Sequence, residues 1–169
     1  MDKTLYVVSG YMRTGTTMMM KALEAGGLDA YYTNKELREL SPTDFHPYDF
    51  PRQYEGRLIK CMGGALVSAA VMPYGMRVVF MMRDPREIED SYEKMFGKGI
   101  YLDNYHRDML YIIDRLNNRR DVKSLTVLEY KDVVSKPLHS FKRIKDEGWD
   151  ISCIEAACIP KQELYRSRL

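Results

Sequence analysis

Three clusters along this chain carry residue types that hold anions. The first is "GYMRTGTT" at residues 10–17, with Gly10 and Gly15 bracketing an arginine and a Thr-Thr pair following. The spacing G-x-x-x-x-G-x-T belongs to phosphate-binding loops, where glycines let backbone N–H groups turn inward and the next helix adds positive partial charge at its start. Thr16 stands where nucleoside triphosphatases carry the lysine that reaches the β- and γ-phosphates. The loop therefore suits a shorter anion, such as a single 5′-phosphate. A glycine-rich turn joining strand to helix would use the same glycines. The coincidence of Arg13, Gly15, Thr16 and Thr17 at a helix start favours anion binding. Met18 is the residue of the following Met-Met-Met run best placed to reach a ligand.

The second cluster is "RDPREIEDS", with Arg83 at the end of an apolar run and Ser91 eight residues later. A planar guanidinium at a strand's carboxyl end faces the crevice where α/β proteins hold ligands, and its fork matches a phosphate. An ordinary surface ion pair, Arg83 with Asp84 or Glu87, would use the same residues and be worth little. The third cluster is "VLEYKDVVSKP" at residues 127–137, in which Tyr130 ends a strand-like run.

These side chains need elements to position them. Residues 5–8 and 76–83 read as buried strands, 56–62 and 125–130 as further strands, and 28–32 as a short one. Helices are expected over 16–27, 34–40, 64–72, 101–119, 135–147 and 151–158, with Gly26-Gly27 stopping the first. "DPRE" at 84–87 supplies an N-cap, a proline at the first helical position and a capping-box glutamate for a helix to about residue 96. Residues 41–51, with three prolines, read as a loop. Alternating strands and helices predict a three-layer α/β fold, a central parallel sheet flanked by helices.

The 169 residues are expected to form a single domain over 1–169. A net charge of +2 argues against a general nucleic-acid partner. The three cysteines, Cys61, Cys153 and Cys158, include no CxxC pair, so reduced thiols in a cytoplasmic setting are expected, without a metal site. No signal-peptide pattern and no membrane-length apolar run is evident.

In this order, the first two motifs resemble the signatures of the sulfotransferase superfamily that uses 3′-phosphoadenosine 5′-phosphosulfate (PAPS). There a loop of type K/R-[ST]-G-T-[TS] holds the 5′-phosphosulfate, and an arginine followed by a serine eight residues on holds the 3′-phosphate. Here these read "RTGTT" at 13–17 and "RDPREIEDS" at 83–91. The late strand ending in Tyr, then Asp and Pro, is similar to residues 127–137. The ending "IPKQELYRSRL" is similar to that of small bacterial relatives.

The resemblance implies a P-loop-like fold and sulfonate transfer from PAPS to a hydroxyl or amine of a small or sugar-like acceptor, leaving adenosine 3′,5′-bisphosphate without metal. It implies nucleotide contacts from Arg13, Thr14, Gly15, Thr16, Thr17, Met18, Arg83, Ser91 and Tyr130. Arg13 takes the place of the family's loop lysine and stabilises the leaving oxygen. Lys60 ends a strand where relatives carry a lysine shortly before a catalytic histidine, whose place Met62 takes; Lys60 is expected to touch the sulfonate, or equally to be a plain solvated strand-end lysine. A thioether is no base, so base candidates fall among Asp44, His46, Asp49 and Glu55, with His46 and Glu55 preferred. A nucleotide-binding relative without catalysis, or a small P-loop kinase, is the alternative.

Overall fold

A computed structural model of the chain describes residues 3–31, 54–69 and 71–166. Among them, four strands form one parallel sheet: β1 (Leu5–Gly10), β2 (Leu58–Lys60), β3 (Met76–Met82) and β4 (Val122–Glu129), in the order β2-β1-β3-β4. Side chains alternate across a strand, so β1 divides between two cores. Leu5 and Val7 join Ile59, Val78 and Phe80 on one face, beneath α2 (Gly63–Ser68), α3 (Pro85–Phe96) and α4 (Tyr105–Asn117). Tyr6 and Val8 join Val79, Met81 and Leu128 on the other, beneath α1 (Thr16–Ala25), α5 (Tyr130–Ser135), α6 (Pro137–Asp146) and α7 (Cys153–Arg166). With both faces covered, a strand can be apolar throughout, as "VVFMM" of β3 is. The three-layer α/β arrangement expected from the sequence is the one observed. No described helix is long and apolar enough to cross a membrane.

Several boundaries differ, each for a local reason. Of the strand expected over 28–32, the described residues 28–31 show one bridge, Ala30 with Leu58, and residue 32 lies outside the described residues. Gly56, at φ 70°, and Met62, the N-cap residue of α2, trim the strand expected over 56–62 to those three. The helix expected over 101–119 starts at Tyr105 and ends at Asn117. The last strand starts earlier, at Val122, and Tyr130 opens α5 instead of ending that strand. Six residues are too few for a helix to stand on propensity alone; α5 is held by burial of Val133 and Val134, and Pro137 then starts α6. The last helix continues through Pro160 to Arg166. The helix expected over 34–40 lies outside the described residues.

The helix expected over 64–72 ends at Ser68, and Arg119 takes up its closing carbonyls. The Arg119 guanidinium donates from Nη1 to the carbonyls of Leu66 (3.1 Å), Val67 (3.3 Å) and Ala69 (2.8 Å). Its Nε and Nη2 donate to the two carboxylate oxygens of Asp121, at 2.9 and 2.7 Å, and the Met72 N–H donates to Asp121 Oδ2 at 2.7 Å. This clamp fixes α2, whose first residue lies so close to the end of β1 that a Cβ on Gly63 would stand 3.3 Å from the Gly10 carbonyl oxygen.

Arg119→Ala would strand a carboxylate whose side chain is 2% exposed, at an expected cost of about 3–5 kcal/mol in urea unfolding. Burial pushes the Asp121 carboxyl up, but the bonds from Arg119 and the Met72 N–H outweigh it and hold the group below its ordinary 3.8. A depressed folded value stabilises above the unfolded carboxyl's range and is lost as pH falls through the folded one. The stability gap between wild type and variant should therefore shrink once pH drops below 3.8; a gap unchanged by acid would place the clamp's contribution elsewhere.

Candidate functional site

The carboxyl ends of β1, β2 and β3 meet at residues 10–17. Gly10 leaves the sheet at φ 147°, where a Cβ would stand 2.7 Å from the Met81 carbonyl oxygen. The loop then turns on itself: the buried Thr14 hydroxyl donates to the Tyr11 carbonyl at 2.7 Å. Arg13 adopts φ 63°, a left-handed conformation that costs a non-glycine residue on the order of 1 kcal/mol and persists where surrounding contacts enforce it. Gly15, at φ 93°, is the N-cap residue of α1 and contributes no side-chain cap, so the first N–H groups of this ten-residue helix face the loop.

Arg83 supplies the enforcing contact. At the end of β3, its Nη1 donates to the Arg13 carbonyl at 3.1 Å across 70 residues of sequence. Arg13 in turn donates from Nε to the Ser91 hydroxyl at 3.0 Å. The Arg83 guanidinium carbon lies 4.0 Å from the centroid of the Tyr130 ring, a cation–π contact. The same ring closes over the loop, since a Cβ on Gly15 would stand 2.5 Å from Tyr130 Cδ2. The Arg83 backbone N–H donates to the buried Tyr105 hydroxyl at 3.3 Å. Burial pushes the Tyr105 phenol up to about 12, against the opposing effect of that bond, so the hydroxyl stays neutral at physiological pH.

The ion pair weighed for Arg83 is also present, with Glu87: Arg83 Nε lies 2.9 Å from Glu87 Oε2. Asp84 instead caps α3 by accepting from the Arg86 N–H at 2.8 Å, and Glu87 does not close the expected capping box. Further acid stands nearby. Burial, then Asp132, Asp84 and Glu87, push the Glu129 carboxyl up, while His106 pulls it down.

Lys60 is not the solvated strand-end lysine of the plainer reading. It is 5% exposed and donates to the Thr17 hydroxyl at 3.1 Å. Three cationic side chains, Arg13, Lys60 and Arg83, thus converge on one loop from three neighbouring strands, and Thr17 presents an exposed hydroxyl among them. Cationic side chains and hydroxyls grouped in this way suit an oxyanion.

Other expectations fare differently. Glu55 is not in the site: it precedes β2 and pairs with Lys3 at 3.7 Å, at the amino ends of the strands. That is roughly 20 Å from the loop at the rise of an extended strand. Its role as a base is withdrawn. His46, Asp44 and Asp49 lie outside the described residues. Met18 is 5% exposed and packs into the α1 core, so its side chain has little surface to offer a ligand. The Thr14 hydroxyl is spent within the loop and Thr16 is buried, so what these residues offer outward is backbone. Tyr105 carried no sequence signal, because its bond to Arg83 depends on where α4 packs.

The fit of Tyr130 over Gly15 is testable. Gly15→Ala must both strain the left-handed backbone and push the ring away from Arg83, at an expected cost of about 1–3 kcal/mol of stability. Paired with Tyr130→Ala, part of that cost should vanish, giving a double-mutant coupling of more than about 0.5 kcal/mol. Strict additivity would mean that the ring does not rest on the glycine.

No family model matches this sequence, and no curated protein matches it. Solved structures do. Retinol dehydratase, determined with androsterone and the inactive cofactor PAP, is 16% identical with a TM-score of 0.55, over 95% of this chain and 64% of its own. Mouse sulfotransferase SULT7A1, complexed with PAP, is 14% identical with a TM-score of 0.58, over 94% of this chain and 64% of its own. Retinol dehydratase with retinol and PAP gives 15% and 0.51 over the same share of its length. This chain therefore spans less than two thirds of the structures it matches, and what it shares with them is the fold.

Proposed function

We propose that this protein binds PAPS and transfers its sulfonate group to a hydroxyl or amine of a small-molecule acceptor. One observation carries the reading: Arg83 donates to the Arg13 carbonyl while Arg13 donates to Ser91, so the two motifs form one connected site. A shared fold with proteins solved holding PAP supports it further.

The side chains present fit such a donor, since two separated anionic ends would meet two sets of cationic and hydroxyl groups. When bound, PAPS supplies an activated sulfonate on a phosphate leaving group. The Gly15 and Thr16 backbone and the start of α1 would hold the 5′-phosphate. Lys60 and Thr17, already bonded to each other, would orient the sulfonate oxygens. Arg13 would stabilise charge on the leaving oxygen; arginine keeps its proton, so that help is electrostatic. Arg83 and Ser91 would take the 3′-phosphate, with Tyr130 lining the nucleotide. Catalysis would then rest on positioning and charge stabilisation, as in phosphoryl transfer. The proposed acceptor is a small or sugar-like molecule; the neighbours were solved with the small molecules androsterone and retinol, which supports the first of these.

A second reading, nucleotide binding without transfer, has its own support. Met62 cannot act as a base, and Glu55 pairs with Lys3 away from the loop. Sulfate transfer to any acceptor of a broad panel would exclude it.

Titration calorimetry with adenosine 3′,5′-bisphosphate, 5′-AMP and ATP tests the donor. The expected result is binding that depends on the 3′-phosphate and not on magnesium; a preference for ATP with magnesium would overturn the assignment. Arg83→Ala should weaken bisphosphate binding by about 1.5–3 kcal/mol, the range for a charge-assisted hydrogen bond, and leave 5′-AMP nearly unaffected.

A further inference from the structure

We propose that Glu87 competes with the nucleotide's 3′-phosphate for Arg83, and so makes this end of the site answer only to a ligand group that carries charge. The inference rests on the nucleotide reading above and adds to it a residue that sets specificity. In the structure the donors of Arg83 are largely committed: Nη1 to the Arg13 carbonyl, Nε to Glu87 Oε2 at 2.9 Å, and one face of the guanidinium to the Tyr130 ring. The edge toward Glu87 is held by a side chain, and that side chain can leave. Glu87 is 50% exposed against 18% for Arg83, so the carboxylate is the mobile partner and the guanidinium the fixed one.

The placement of Glu87 also departs from what its own helix asks of it. Three residues after the N-cap Asp84, a glutamate ordinarily reaches back to the N-cap amide. Here the carboxylate goes to Arg83, and Asp84 spends its own on the Arg86 N–H. A phosphate dianion at Arg83 would meet the like charge of Glu87, with Asp84, Glu129 and Asp132 as the further acids of this region and His106 a nearby base; Arg83 and the Arg13 guanidinium on Ser91 oppose that repulsion. Bound phosphate and the Arg83–Glu87 pair are thus alternatives. A ligand shifts such an equilibrium by its differential affinity for the two states. A 3′-phosphate replaces the lost carboxylate with a stronger anion. A neutral 3′-hydroxyl has nothing to replace it with and leaves the pair closed.

The experiment titrates wild type, Glu87→Gln and Glu87→Ala with adenosine 3′,5′-bisphosphate and with 5′-AMP, at low and at high salt. Glutamine keeps the length and the helix compatibility of glutamate; alanine removes any residual amide contact with Arg83. Both variants should bind the bisphosphate about three- to tenfold more tightly and 5′-AMP within about twofold of wild type, the size expected for releasing a half-exposed pair and a nearby like charge. The gain should shrink as salt rises. If wild type prefers the bisphosphate but either variant binds it no better, or more weakly, Glu87 orients Arg83 and the competition is refuted. If wild type shows no preference for the 3′-phosphate, the nucleotide reading itself fails and this inference with it.

Discussion

The bond from Arg83 to the carbonyl of Arg13 is the constraint on which the candidate site depends. β1 and β3 lie side by side at the centre of the sheet, with Gly10 opposite Met81, so the loop after one and the arginine after the other leave the sheet together. Arg13 takes a left-handed conformation and its carbonyl accepts from Arg83, a bond that offsets part of what that conformation costs. From this junction the remaining contacts follow. The Arg13 side chain reaches Ser91, Tyr130 closes over Gly15 and the guanidinium, and Tyr105 holds the Arg83 backbone from beneath.

The sheet makes that junction available by segregating its ends. At the carboxyl ends stand Arg13, Lys60 and Arg83; at the amino ends stand the Lys3–Glu55 pair and the Arg119–Asp121 clamp. Burial of both faces leaves the central strands β1 and β3 mostly apolar, so their chemistry is placed where the strands stop. Lys60 is the instructive case. A buried ammonium needs partners, and the neighbouring loop provides Thr17.

Much of this was legible in the sequence, because local patterns encode it. The loop spacing, the apolar run of β3 and the Asp-Pro start of α3 each fix an element from a few adjacent residues. What was not legible depends on contacts between distant segments. Six-residue α5 is stable only because Val133 and Val134 find a core. The direction of the Glu87 side chain is decided by a contest between a helix amide and a guanidinium, two partners that spacing alone cannot rank. Glu55 looked available as a base because nothing in the sequence near it names Lys3 as its partner, a residue more than fifty positions away. Lys60 read equally well as solvated, since burial at a strand end depends on what the next loop covers.

The distribution of charge suggests how the two ends of the site divide their work. At the loop, Arg13 donates to the Ser91 hydroxyl and Lys60 to the Thr17 hydroxyl, so two cationic side chains stand beside the start of α1. At Arg83 the positive charge is balanced in advance by Glu87 and hemmed by Asp84, Glu129 and Asp132. Under the proposed reading, an oxyanion at the loop would add to these contacts, and one at Arg83 would exchange one anion for another. Under that reading the loop would hold a 5′-phosphate, and Arg83 would tell a 3′-phosphate from a hydroxyl. A near-neutral net charge of +2 is what such a chain would show, because its selectivity depends on local arrangement and not on a field spread over the surface.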